Sequence, residues 1–345
     1  MKSSDQEKYL GDYVTKYGNS KVTIKERKIR GNAIVSEMRA LLRDIPLGSF
    51  RTQIGLVLCQ AWFINGCFFN SEVWNGYTDT DLADLIVIDH QIMRLITNCQ
   101  AKVPVEMLYL ETAELPIQGI ISVRRLLYLH EILSRNDSEL INQVYCAMKE
   151  SPLKDDWIHL VLKDKLKIDL NLTDSQISKL TRQDFKMLVK TKIRKFTFAD
   201  LENIKAGHSK VKDILHCDLK TPEGYLYSPI FSNKQSGLLF NLRCQCVNEF
   251  KSNFYTSYCP FCSKVTHTHE YSQSHALACI TIKKKIINSQ LQELSSVTYN
   301  DIFSDLEAQH KITKVFKFII QIRELLRTPP HQPAYPGLST GPYSD

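Results

Sequence analysis

The side chains best placed to do chemistry are Cys259, Cys262, His275 and Cys279, which form the pattern C-x2-C-x12-H-x3-C. A C-x2-C turn aims two thiolates at one point, and a His and a Cys one helical turn apart aim back from a short helix. Together they suit a tetrahedral Zn2+ site. Four protein ligands leave no position open for water, so the expected ion is structural and not hydrolytic. In a short segment with little core of its own, metal binding becomes folding free energy. A knuckle of the form C-x2-C-x4-H-x4-C fails, because it would use His267 and the position five residues on is Ser272. His267 and His269 read as exposed loop residues or occasional substitute ligands. Cys244 and Cys246 lie two apart on a helical pattern, where thiols diverge, and read as core or surface cysteines.

No other constellation specifies a reaction. A polymerase palm needs carboxylates that hold two metal ions, with an Asp-Asp pair following an aromatic residue and Ala, and no such run occurs. The adjacent pair Asp155-Asp156 precedes Trp157 and reads as a helix cap. Phosphate-loop, His-Glu-x-x-His and Gly-x-Ser-x-Gly signatures are missing from the sequence, as is the Pro-Asp of restriction-like nucleases. His90, His130 and His159 sit singly on helical patterns and read as structural. Asp301, Asp305 and Glu307 read as a solvated helix terminus. The expected catalytic set is therefore empty.

The elements that must position the cysteines are mostly helices. Thr23 with Glu26 suggests a capping box before a periodic stretch through Ile34, Met38 and Leu41, ended by Pro46-Leu-Gly48. A long apolar helix is expected from Ser49, buried over Ile54 to Phe69 and too short for a membrane span. Further starts are legible at Asp79, Pro116, Asp137-Ser138, Thr173 with Gln176, and Ser232 with Gln235. One short hairpin is expected over Tyr9 to Val14, with a turn at Tyr17-Gly-Asn-Ser20. Weak boundaries fall near Ser151-Pro152 and from Thr221 to Pro229, and the Pro-, Gly- and Ser-rich end from Thr328 is expected to be disordered.

With 345 residues the chain is long enough for two or three domains. Ten cysteines without a leading apolar segment point to a reducing, intracellular setting, cytoplasmic or nuclear. The net charge of +7 is unevenly placed: residues 1–43 carry ten Lys or Arg against five acids, and residues 182–220 repeat that balance, whereas residues 72–120 hold eight acids and two bases. The basic runs are either solvated helix faces or a phosphate track. The phosphate candidates are Lys25, Arg27, Lys28 and Arg30 in the first run, and Lys186, Lys190, Lys192, Arg194 and Lys195 in the second. Near the cysteines they are Lys264, Lys283, Lys284 and Lys285. Tyr255, Tyr258, Phe261 and Tyr271 flank the ligands and either pack over the zinc or stack on bases.

A series of short words, in order, resembles one family. They are Tyr9-Leu-Gly-Asp12, Ile45-Pro-Leu-Gly48, Gln60-Ala-Trp62, Phe69-Asn-Ser-Glu-Val-Trp74, Met107-Leu-Tyr-Leu-Glu-Thr112, Leu115-Pro-Ile117, Arg124-Arg-Leu-Leu-Tyr-Leu-His130 and Leu239-Phe-Asn-Leu-Arg243. From about Lys8 into the tail, the chain is similar to the region C-terminal to the palm in reverse transcriptases of non-LTR (LINE-like) retrotransposons. The resemblance implies a thumb-like helical region and linker that grip RNA template and primed DNA, then a zinc knuckle whose ligands match Cys259, Cys262, His275 and Cys279. It implies that Tyr9 to Gly11 follow the palm in a hairpin near the primer end. Lacking fingers, palm and endonuclease, the chain is expected to be a C-terminal fragment or degenerate copy, non-catalytic by itself, with any palm supplied by another chain. The expected fold is mostly α, divided into a hairpin-like segment (1–20), a thumb-like region (21–150), a basic linker (151–235), the knuckle region (236–285), a C-terminal helical segment (286–327) and a tail (328–345). The competing expectation is a helical, zinc-stapled scaffold that binds protein. No membrane association is expected.

Overall fold

Three helices begin where a side-chain oxygen caps them. Thr78, Thr173 and Ser232 each accept a hydrogen bond from the amide three residues on, and Asp81, Gln176 and Gln235 accept in turn from the cap residue's own amide. Each reciprocal pair satisfies two of the donors that a helix N-terminus leaves open. Asp156 likewise caps its helix, accepting from the His159 amide at 2.7 Å. The computed structural model describes residues 6–9, 12–15, 18–45, 50–151, 153, 156–207, 223–226, 228, 230–244 and 305–327, with shorter pieces at 277, 279, 282–283, 286, 294 and 296–298. The fold is mostly helical with one antiparallel hairpin. Two compact units divide the chain, Met1–Cys246 and Val247–Asp345.

In the first unit β1 (Gln6–Tyr9) pairs with β2 (Asp12–Thr15), in a register that sets Tyr9 opposite Asp12. The reversal therefore falls between those two residues and not at Tyr17 to Ser20. Gly18, at a φ of 63° that favours glycine, instead turns β2 into α1 (Lys21–Asp44). Thr23 is not a cap. The helix starts two residues before it, and its buried hydroxyl accepts from the Tyr13 amide at 2.9 Å, fastening the hairpin to the helix.

α1 buries Ile24, Arg27, Gly31, Ile34, Val35, Met38 and Leu42, a stripe at three- and four-residue spacing. It packs on α4 (Asp79–Thr97), whose Ile88 side chain lies against Gly31. Between them in sequence, α2 (Phe50–Leu58) runs through a π-helical stretch, Cys59–Ile64, into the short α3 (Asn65–Cys67). The wider turns carry the buried stripe from Thr52, Gly55 and Cys59 onto Phe63, Ile64, Cys67 and Phe68. The expected burial of Ile54 to Phe69 holds for this face alone: Ile54, Val57 and Phe69 are 38%, 66% and 50% exposed.

A second cluster forms around α6 (Ile117–Leu133), which follows α5 (Val105–Thr112). Its Val123, Leu126, Leu129 and Ile132 pack with Tyr145 of α7 (Leu140–Glu150), Trp157, Ile158 and Val161 of α8 (Trp157–Lys167), Ile177 of α9 (Asp174–Lys179), and Phe185, Val189 and Ile193 of α10 (Arg182–Gly207). Cutting a core leucine such as Leu126 back to Ala costs about 2–5 kcal/mol. α11 (Asn233–Arg243) closes the unit. A Cβ on Gly237 would stand 2.5 Å from the Asn98 carbonyl oxygen, so its absence lets α11 lie against the end of α4. The interruptions near Ser151 and from Thr221 to Pro229 thus separate elements of one unit.

In the second unit α12 (Leu306–Arg327) buries Ile312, Val315, Phe316 and Ile319. Asp305 caps it, accepting from the Ala308 amide at 2.8 Å. Cys259, Cys262, His275, the four flanking aromatics and the tail from Thr328 lie outside the described residues. No helix among the described residues is long and apolar enough to cross a membrane.

Candidate nucleic-acid interface

Lys186, Lys190 and Arg194 recur every four residues along α10, so their side chains form one row. All three are half-buried. Burial lowers the pKa of the Lys190 ammonium first, and the charges of Lys186 and Arg194 lower it further. Those two influences place Lys186 and Arg194 within electrostatic reach of Lys190. Glu114, just past α5, is the carboxylate whose charge works the other way. Arg194 also donates to the Ala113 carbonyl at 3.3 Å, and Ala113 holds the left-handed φ of 54° that ends α5. Three cations against one acid leave a row with surplus positive charge, held in place by the α5–α6 turn.

The other candidates of the second run lie elsewhere. Lys192 falls between the members of the row and donates to the Asp169 carbonyl at 2.7 Å, while Lys195 is exposed. The first run is more thoroughly engaged. Arg27 is 7% exposed; its Nη2 pairs with Asp12 at 2.8 Å and its Nη1 donates to the Gly66 carbonyl at 3.2 Å. The expectation that Arg27 contacts phosphate is corrected: its charge is buried between the hairpin and α3. Lys28 pairs with Asp84 of α4 at 2.7 Å, with both side chains exposed. Arg30 is exposed with its guanidinium against Gly66, and Lys25 is exposed.

Of the expected zinc ligands, Cys279 is described. It is buried, and its carbonyl accepts from the amide of the half-buried Lys283 at 2.9 Å. Cys259, Cys262, His275, Lys264, Lys284 and Lys285 lie outside the described residues. Among the described residues no three His, Cys, Asp or Glu side chains converge as metal ligands would.

The single histidines divide by surroundings. His130 Nε2 meets the Leu180 carbonyl at 2.8 Å and its ring stacks on Phe185 at 5.2 Å, a structural role as expected. His90 is half-buried and His159 exposed.

Two buried polar clusters carry no signal in the sequence. Glu111 is fully buried; it accepts from Arg243 Nε at 2.8 Å and from the Tyr225 hydroxyl at 2.9 Å, and Arg243 also reaches Glu223 at 3.4 Å. Burial raises the Glu111 pKa and the Arg243 charge opposes that rise. Asp89 has no such cation. It accepts from the Tyr109 hydroxyl at 2.5 Å and from the Ile117 amide, and burial raises its pKa to about 7 against those two hydrogen bonds. Residues 111 and 243 are joined across 132 positions, which no local pattern announces. Compared with family models, with curated proteins and with solved structures, the chain matches none of them.

Proposed function

We propose that this chain binds nucleic acid along the α10 row, as the post-palm helical part of a non-LTR reverse transcriptase would, gripping RNA template or primed DNA without a reaction centre of its own. The observation that carries the reading is the Lys186–Lys190–Arg194 row, whose two outer cations both act on Lys190 and are offset there by Glu114. A row of this kind is relieved by an external polyanion, and phosphates supply one at regular spacing. Neutralised phosphates release counterions, so affinity falls steeply with salt. The test is fluorescence anisotropy of labelled RNA and primed-duplex oligonucleotides with the full chain over a salt series. Binding whose logarithm falls linearly with the logarithm of salt supports the reading; binding that ignores salt, or none, sinks it.

The C-x2-C-x12-H-x3-C spacing supports a structural Zn2+ held by Cys259, Cys262, His275 and Cys279. Cys262→Ser is then expected to lower bound metal by about one equivalent and to loosen residues 240–290, leaving the N-terminal helices folded. Full zinc in that variant, by elemental analysis, overturns the ligand assignment.

A protein-binding scaffold is the second reading. It is favoured by the exposed apolar residues Ile54, Val57 and Phe69, and salt-independent retention of a protein partner would support it.

A further inference from the structure

The α10 row leads into a cleft of about 350 Å³. Thr197 lies seven residues beyond Lys190, on the same side of the helix, and lines the cleft with Ile193 and Phe196. The opposite walls come from α4, α5, α6 and α8, all within the first unit. Their chemistry is mixed in a particular way. Ile86, Val105, Pro116 and Ile168 give apolar walls, and Gly119 leaves one wall without a side chain. His90, Gln118 and Thr197 bring hydrogen-bonding groups, none of them tied up in a side-chain hydrogen bond to another described residue. Burial and then the Arg94 charge lower the His90 pKa against the opposing charge of Glu106, so at neutral pH its ring offers one donor and one acceptor. Lys167 holds its ammonium 4.8 Å from the centre of the Phe196 ring, and the Glu106 carboxylate lines the same cleft, so the positive charge near it comes from the row and not from its walls.

A space of this size with apolar walls and a few open donors and acceptors fits a heterocycle better than an aliphatic chain, which would leave the polar groups unpaired. Positive charge along the approach fits a phosphate attached to that heterocycle. We infer that the cleft receives one nucleobase, with its sugar, from the strand whose phosphates lie on Lys186, Lys190 and Arg194, and that His90 and Gln118 meet the edge of that base. The inference rests on the nucleic-acid reading of the row.

The experiment compares a short single-stranded oligonucleotide with a fully abasic sugar-phosphate strand of the same length. Both are titrated against the full chain and two variants, Gln118→Ala, which removes hydrogen bonds, and Thr197→Phe, which fills the cleft. The wild-type chain is expected to bind the intact strand about tenfold more tightly than the abasic one, the scale of one base contact. Both variants should erase most of that difference while binding the abasic strand as before, with melting temperatures confirming that they fold. If wild type binds both strands equally while Lys190→Ala weakens both, the row holds phosphates and the cleft takes no base. If the base preference survives in both variants, the base sits elsewhere. If neither strand binds, the row reading and the cleft inference fall together.

Discussion

α1 and α10 bring similar basic runs to the surface of one unit and use them in opposite ways. On α1, Arg27 is buried against Asp12 and the Gly66 carbonyl, and Lys28 meets Asp84 at the surface, so two of the four candidates are answered by carboxylates of the fold. On α10, the row of Lys186, Lys190 and Arg194 sits beside Glu114 alone among the carboxylates that influence Lys190. A count of lysines and arginines treats the two runs as equal. The neighbours decide otherwise: charge answered within the fold holds helices together, and charge left in surplus is available to a ligand.

The largest expected effect comes from breaking the most deeply engaged cation. Arg243→Met would strand the fully buried Glu111, and removal of one partner from a buried pair costs about 3–5 kcal/mol. Urea unfolding should show that loss, while the folded fraction binds nucleic acid as before. A change much below 1 kcal/mol would mean that Glu111 is already neutral.

Asp89 sharpens the comparison because it is a buried carboxylate answered by a hydroxyl and an amide and by no cation. Its folded pKa, about 7, lies above the ordinary value of 3.8. Between those values the folded state keeps a proton that the unfolded chain has released, so this group's stabilising contribution is complete below pH 3.8 and is lost as pH rises through 7. Asp89→Asn keeps an acceptor for Tyr109 and removes the titration. It should stabilise the fold at pH 8 relative to wild type by on the order of a few kcal/mol, seen as a higher melting temperature, and flatten the wild-type fall between pH 5 and pH 8. Parallel melting curves for the two proteins across that range would contradict it.

The smallest effects separate the two helices directly. Lys28→Ala removes an exposed pair worth about 0–1 kcal/mol and should leave the salt slope of oligonucleotide binding unchanged. Lys190→Ala should leave stability equal or slightly higher, through relief of repulsion, and reduce that slope by about one. Equal slopes for the two variants would erase the distinction between engaged and surplus charge.

Much of the fold was legible where the signal is local. Thr173 with Gln176 and Ser232 with Gln235 were readable as helix starts because a cap and its partner lie three residues apart. Thr23 with Glu26 has the same spacing and misled, since Thr23 is claimed by the Tyr13 amide across the hairpin. Arg27 looks like a surface cation in the sequence for a related reason: its partner Asp12 is brought up by strand register, and the turn residues Tyr17 to Ser20 point to a later reversal than the one between Tyr9 and Asp12. The words that carry the family resemblance turn out to be bound together. Arg243 of one meets Glu111 of another, and Arg124 donates to the Phe68 carbonyl beside the word that begins at Phe69. Such words hold the fold, which is why they could be read without exposing a reaction. The α10 row was visible as composition, but its separation from Lys192 and Lys195 needed the helix.

The π-helical stretch at Cys59–Ile64 has a consequence for how this region tolerates insertions and deletions. Ala61 in its middle is exposed, and removing it would let the backbone adopt regular α geometry at no cost to a core side chain. Six residues of the wider coil advance around the axis by about as much as five α-helical residues, so the same deletion would leave everything downstream facing nearly the same way. Phe63 and Phe68, whose rings meet edge to face at 5.3 Å, would keep their contact with one another and with Trp74. The irregular coil thus stores one residue more than a regular helix needs between two stretches that face the same way, and this segment is the place where the helix is expected to tolerate losing one.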